Sequence, residues 1–364
     1  MESHFGKRGR FRSGVLGVTL LSSVALILAG CSATANKATV AVDTPTAAAD
    51  TPASVVYQPI AKASCDLSSK TITYLSVLKA HPTLRLWEQG FLDEAKRLGF
   101  KTATIAAPDE PDWTKAVALG EGVLANGTDG LVLGFVDPAE KDLIAKFGKA
   151  NIPVVIGHVQ VKPGEYPGVI AYAAFDPKVW GAAAAGVIGS AINGKGTVAV
   201  TESSFNVQED AVAAAFKAKM AELYPNVKVL PPAEEGTDPP KAIAKAVAIL
   251  LAHPDVNAAL STTGAGPVTW AGASDQTGRK VAAIGPDATR PNLDAVNSGK
   301  ILGIAAQPGY EEHEMAVDIV AEAICGHLPT VFAHDLPAPI VLKAGLAPYY
   351  KIVDAIDARV KAGG

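Results

Sequence analysis

From about residue 70 onward the chain repeats one pattern: a short, almost wholly apolar run, a turn, then a stretch with helical periodicity. Residues 71–77 (TITYLSV), 101–106, 130–134 (GLVLG) and 152–157 (IPVVIG) read as strands. Residues 84–98, 113–125 and 139–149 read as the helices between and after them, with Gly99 and Asn126-Gly127 as stops. A strand apolar at every position has no face for water, so it belongs in a parallel sheet covered on both sides. The pattern then starts again. Residues 179–192, 209–223, 241–252, 268–276, 291–298, 311–324 and 349–361 are predicted helices. Residues 196–201, 227–230, 256–261, 281–285, 301–306 and a run near 340–342 are predicted strands. A single sheet would need some ten or more strands, which is uncommon. Two successive units of similar size therefore predict two lobes, with a first crossing near residues 173–177.

The 364 residues, 49% hydrophobic and 19% charged, suit about two globular domains. The segment ahead of them has a different character. Lys7, Arg8, Arg10 and Arg12 precede a short apolar run over residues 14–27, which ends in Leu28-Ala29-Gly30-Cys31. A basic head, a short apolar run and small residues form a secretory signal over residues 1–30. Its last four residues resemble the lipobox of bacterial lipoproteins, which implies export and a lipid on Cys31 that anchors the mature N-terminus to the membrane. Removing residues 1–30 takes away four basic residues and one acidic one, so the formal charge moves from −4 to −7. An acidic body without a basic stripe argues against nucleic acid as a partner. Residues 31–65, rich in Ala, Thr, Ser, Pro and Val, are expected to form a flexible tether. Cys65 and Cys325 remain; an oxidising compartment favours a bridge between them, the alternative being two separate buried thiols. The seven histidines are scattered and set up no metal-ligand spacing, and no cofactor motif is present.

In open parallel sheets ligands lie beyond the carboxyl ends of the strands. That rule selects Lys79, His81 and Thr83 after the first strand, then Asp109 and Trp113, Asp137, and His158 and Gln160. In the second unit it selects Glu202, Ser203, Asn206, Asp210, Thr262, Thr263, Asp287 and Gln307. Trp113 and Trp270 follow strand-end loops and either stack on a ligand or pack between helix and sheet; Trp87 and Trp180 lie further into helices and read as core.

Several fragments in order resemble the type I periplasmic solute-binding proteins, specifically the ribose- and galactose-binding branch. They are His81-Pro82, Glu88-Gln89-Gly90-Phe91, Ala95 through Phe100, Ala125 through Leu131, Ala252 through Val256, Ile284-Gly285-Pro286-Asp287, Val296 through Lys300, and Ala306-Gln307. The resemblance covers roughly residues 70 to 345. It implies an α/β fold of two Rossmann-like lobes with parallel-sheet cores, joined by a three-segment hinge. The first lobe would comprise residues 66–174 and 308–335, and the second residues 175–307 and 336–364. It also implies a monomeric receptor that closes on a small polar ligand (a sugar, a polyol or a sugar-like molecule) and docks on an ABC permease, without chemistry. Asp287 and Gln307 match positions that bond sugar hydroxyls, although Asp287 could instead cap the following helix and Gln307 could serve the hinge.

Other family positions are replaced. The Asn before proline is His81, and the pair of aromatic platforms falls on Thr83 and Leu84. The Asp-Arg pair falls on Gly157 and His158, an arginine near Asp210, and a later Asn near Thr263. Aromatic faces and bidentate arginines hold much of a sugar, so these losses weigh against an ordinary pentose or hexose. Two rival classes stay open. The same body could present its closed form to a receptor kinase or chemoreceptor. An exported enzyme is the weaker alternative, because no Gly-x-Ser-x-Gly, His-Glu-x-x-His or phosphate-loop motif occurs.

Overall fold

Each apolar run becomes a strand, all of them parallel except the last, and each periodic stretch becomes a helix. The structure, a computed structural model, describes residues 56–79, 82–203, 207–236 and 238–361. The first unit runs β1 (Thr71–Leu75), α1 (Pro82–Arg97), β2 (Thr102–Ala106), α2 (Trp113–Asn126), β3 (Gly130–Leu133), α3 (Lys141–Lys149), β4 (Val154–Gly157) and β5 (Val169–Phe175). The second runs α4 (Pro177–Ala191), β6 (Gly196–Glu202), α5 (Val207–Leu223), β7 (Val227–Val229), β8 (Ala233–Glu234), α6 (Pro239–Ala252), β9 (Val256–Ser261), α7 (Gly266–Thr277), β10 (Ala282–Pro286), α8 (Arg290–Asn297) and β11 (Gly303–Ala305). The chain then returns through α9 (Gly309–Ile324), β12 (Ala333–Leu336), β13 (Ile340–Leu342) and α10 (Ala347–Lys361).

The strands form two sheets, ordered β12-β5-β4-β3-β1-β2 and β13-β11-β10-β9-β6-β7, with β8 also pairing β6. All the pairings are parallel except β11 with β13. Both sheets share a doubly wound order: β2-β1-β3-β4-β5 in the first and β7-β6-β9-β10-β11 in the second. The order therefore reverses between β1 and β3, and between β6 and β9. Such reversals open crevices at the carboxyl ends of the strands. The chain passes from one sheet to the other after β5, after β11 and after β12. The amide of Ala306 donates to the carbonyl of Pro339 at 2.9 Å, which ties the second passage to the third.

Each sheet is buried on both faces. In the first lobe Ile72, Tyr74, Val132 and Val155 pack against α1 and α9, while Leu75, Leu131, Leu133 and Ile156 pack against the α3 side chains Ile144 and Phe147. In the second, Val198, Val200 and Leu260 meet Trp180 and Phe216 on α4 and α5; Ala199, Ala259 and Ile304 meet Leu250, Trp270 and Val353. Gly90 on α1 faces the backbone of Tyr310 on α9, and a Cβ there would strike that carbonyl. Asp112, Asp176 and Asp238 cap α2, α4 and α6 by accepting from the amides of Lys115, Lys178 and Lys241 at 3.0, 2.8 and 3.0 Å. Pro177 and Pro239 supply first-turn residues that need no partner for an N–H.

The last residues assigned to the tether are held on the body. Tyr57 donates its hydroxyl to Asp318 at 2.6 Å, and Ile60 donates its amide to the same carboxylate oxygen at 2.9 Å. Ser64 donates twice to Glu322, and Cys65 is disulfide-bonded to Cys325 just beyond α9. Polar side chains on α9 offer bonds that composition alone does not reveal. The signal and Cys31 lie outside the described residues. Three strands go beyond the sequence reading: β5, the two-residue β8 and β12. β5 is alanine-rich, and β12 (AHDL) is a largely exposed edge strand.

The α1–α9 seam buries an acidic cluster. Glu94, Glu314 and Asp318 are all nearly inaccessible, and Arg97 pairs with Glu94. Burial first, and then the facing carboxylates of Glu94, Glu311, Asp318 and Asp93, push Glu314 up to about 9. The folded state thus holds a proton that the unfolded chain releases. Its contribution is complete below the ordinary carboxylate range and is lost as pH rises toward about 9. Glu314→Gln should flatten the fall in stability between pH 6 and 9, read as urea midpoints (about 6 and 9 bracket the titration). An unchanged slope would remove Glu314 as its source.

Candidate functional site

The two lobes meet across the carboxyl ends of their strands. Thr83, in the first turn of α1, donates its hydroxyl to Oδ2 of Asp287 at 2.9 Å. Asp287 follows β10 directly, is 5% exposed and has a left-handed backbone with φ of 72°. Such a conformation is uncommon for a residue with a Cβ and points to a position the fold holds deliberately. Gly264, after β9, lies against the same two side chains, and a Cβ there would collide with the Asp287 carboxylate. Asn292 on α8 donates to the carbonyls of Pro286, Asp287 and Gly264, fixing both loops at once. A cavity of about 30 Å³ lies beside this contact, lined by Thr83, Trp87, Asp287, Gln307, Tyr310 and Glu311 among others.

The wall contributed by the first lobe is aromatic. Trp87 is 3% exposed and lies 4.0 Å, centroid to centroid, from the ring of His158. His313 stacks near it at 5.5 Å, and Phe135 lies at 5.0 Å. His158 bonds Oε2 of Glu312 through Nδ1 at 2.8 Å, and its backbone is left-handed with φ of 70°. His313 is fully buried, and burial pushes it down to about 3, so it is neutral. Its Nδ1 donates to the carbonyl of Gly309 at 2.6 Å. A second contact between the lobes lies close by: Gln208 on α5 donates to the carbonyl of His158 at 3.4 Å.

Of the residues selected from the sequence, Thr83, Asp287 and Gln307 share the cavity, and the ring of His158 lies tilted against the Trp87 that lines it. Asp287 does not cap α8, whose N-cap is Thr289. Thr263 is buried at the end of β9, where its amide donates to Ser261 Oγ at 3.3 Å. Asp210 is exposed in the first turn of α5, at the same edge. Asp137 instead caps the short 3-10 helix Pro138–Glu140, in a capping box with Glu140. Trp113 is the half-buried first residue of α2. Trp270 is wholly buried and donates to Thr201 Oγ1 at 3.1 Å, so it packs in the core rather than offering a stacking face. Trp180 packs in the core. His81 and Asn206 lie outside the described residues.

Trp87 is the residue the sequence reading left in the core. It is buried, but it also faces the cavity; its offset of four from Thr83 on one helix face was the available signal. Among the described residues no three His, Cys, Asp or Glu side chains form a metal-holding group. No described helix is long and apolar enough to cross a membrane.

A family model described as periplasmic binding protein domain matches residues 73–328. Solved structures show the same fold. A glucose-galactose binding protein from Geobacillus stearothermophilus is 23% identical, with a TM-score of 0.68 over 76% of this chain and 99% of its own. An ABC transporter periplasmic solute-binding protein from Actinobacillus succinogenes, with bound D-allose, is 20% identical, with a TM-score of 0.71 over 77% and 99%. An ABC transporter solute-binding protein from a Bradyrhizobium species, with bound Bis-Tris, is 20% identical, with a TM-score of 0.67 over 84% and 91%. No curated protein matches the chain.

The His158–Glu312 bond is buried at the face between the lobes, so losing one partner leaves the other unsatisfied. Glu312→Ala should cost about 2 kcal/mol of folding stability in urea titrations. A loss under about 0.5 kcal/mol, the scale of a surface change, would show that the bond does not hold this wall.

Proposed function

The chain belongs to the periplasmic binding protein domain family, and on that premise we propose that it is the solute-binding component of an ABC importer. It takes a small polar ligand (a sugar, a polyol or a sugar-like molecule) into the cleft between its lobes and releases it unchanged. Cys31 carries the lipid that holds it outside the cytoplasm, and a membrane permease receives its closed form. The proteins of like fold described with bound D-allose and Bis-Tris carry hydroxyl-rich molecules, which supports this ligand class.

The observation that carries the reading is the Thr83–Asp287 hydrogen bond across the cleft. One carboxylate oxygen of the second lobe already accepts a hydroxyl from the first. An ionised carboxylate accepts from more than one hydroxyl, so ligand hydroxyls can bind the same group. A ligand that bonds both lobes favours the closed arrangement over the open one by its differential affinity. Hinge passages between the sheets provide the motion.

Thermal scanning of the protein with a panel of sugars, polyols and amino derivatives tests this. A true ligand at a hundred times its dissociation constant adds about 2.7 kcal/mol of stability. Asp287→Ala should abolish that gain. A ligand-induced gain that is identical in the variant would remove Asp287 from the site, and consumption of the ligand would contradict binding without chemistry.

A further inference from the structure

At the strand reversal of the second sheet, at the end of β6, a buried carboxylate faces other carboxylates. Glu202 is the last residue of β6 and is 0% exposed. Among the described residues neither of its carboxylate oxygens finds a hydrogen-bond donor. The charged groups facing it come from α5, and both are negative: Asp210 and Glu209. Asp210 is itself a carboxylate, so the two can bond each other only by sharing a proton. Among the described residues the neighbours are engaged elsewhere. Glu209 is occupied by the amide and hydroxyl of Ser203, both at 2.6 Å, and by the hydroxyl of Thr262 at 3.0 Å. On the neighbouring β8, Glu234 turns to Lys245 at 3.8 Å, and the following Glu235 accepts from Ser261. Burial, then Asp210 and Glu209, push the Glu202 carboxyl up to about 7.

The pair lies at the edge of the second lobe that faces the first. Gln208, between Glu209 and the start of α5, makes the contact with the carbonyl of His158 on the opposite lobe. Thr262 leads through Thr263 to Gly264, which abuts Asp287 and Thr83. A continuous edge of the second lobe thus runs from Glu202 to Asp287.

Resting on the solute-binding reading, we propose that the ligand of this cleft carries a protonated amine, and that Glu202 and Asp210 receive it. An ammonium has three donors and one positive charge, so it supplies both oxygens of Glu202 and cancels the repulsion with Asp210. A hydroxyl supplies one donor and no charge and leaves two carboxylates facing each other. A metal ion fits less well, because no three-ligand group is present among the described residues. The ligand class is therefore a cationic, hydroxyl-bearing small molecule such as an amino sugar or an amino polyol, its hydroxyls on Asp287 and its amine on Glu202 and Asp210.

Binding of the cation draws Glu202 into its ionised form. Near pH 6.5 the loading of an amine therefore releases a proton from the protein, whereas a neutral sugar releases none. The test is titration calorimetry of the full-length protein at about pH 6.5, just below the Glu202 titration, in two buffers of different ionisation enthalpy. The probes are D-glucosamine and D-galactosamine, their neutral parents glucose and galactose, their N-acetyl derivatives, and calcium chloride. At least one amino sugar should bind about tenfold or more tighter than its parent and its N-acetyl form, the worth of one charge-assisted hydrogen bond. It should also release a substantial fraction of a proton. Glu202→Gln should remove the proton release, and Asp210→Asn, at an exposed position that threatens no core, should bring the amine-to-neutral ratio toward one.

Parity between amine and neutral probes, an unaltered ratio in Asp210→Asn, or calcium binding in place of the amines would each overturn the proposal. Neutral sugars that bind and lose their effect in Asp287→Ala, without preference for amines, would leave the importer reading standing while this one fails. Absence of binding in both series would count against both.

Discussion

Parallel strands buried on both faces constrain everything else in this molecule. Such a sheet must be covered by helices above and below, so its faces are committed to packing and only the ends of its strands are free for function. The two sheets share one winding order, and each therefore has one reversal that opens a crevice at its carboxyl edge. Setting the two edges against each other places Thr83 on Asp287 and Gln208 on the backbone of His158. The helices α1, α9 and α10 link these halves mechanically. Tyr310 and Arg359 both bond Asp93, while Arg290 on α8 pairs with Asp354 and Asp357 on α10. The C-terminal helix thus touches both lobes.

Much of the fold was legible because several of its central strands, such as β3, β4 and β10, are continuous apolar runs. Residues 256–261 were anticipated to their ends as β9, and the two-unit rhythm led to the two sheets. Elements with weak local signals were not legible. β5 owes its place to neighbours on both sides rather than to β-branched side chains, and its sequence VIAYAAF runs straight into the Asp-Pro that starts α4. β12 (AHDL) has two adjacent polar residues and no apolar run, and as an edge strand it pairs only β5. Residues 57–64 read as tether because composition contains no record of the Asp318 and Glu322 side chains that hold them.

The site was legible in a coarser way. Strand ends were enough to select Thr83, Asp287, Gln307 and His158, because the rule depends on topology rather than on any neighbour in space. Asp137 obeyed the same rule and yet serves as a helix cap, since a short acidic side chain before Pro-Ala-Glu satisfies the local backbone first. Trp87 shows the converse. Its helical position announces burial, and burial is what the structure gives it, yet its ring also lines the cavity, stacked near His313 and tilted against His158. The acidity of the second lobe's edge could be counted in the sequence. That Glu202 would be left without a donor while Glu209 takes Ser203 and Thr262 depends on how α5 sits over β6 and β9.

The central claim is that the two halves clamp a ligand between them by moving relative to each other. Small-angle scattering of the protein, recorded with and without a saturating amount of the compound that stabilises it most, tests this most directly. The account predicts a smaller radius of gyration and a narrower distance distribution when the ligand is present. Superimposable profiles under saturation would contradict it.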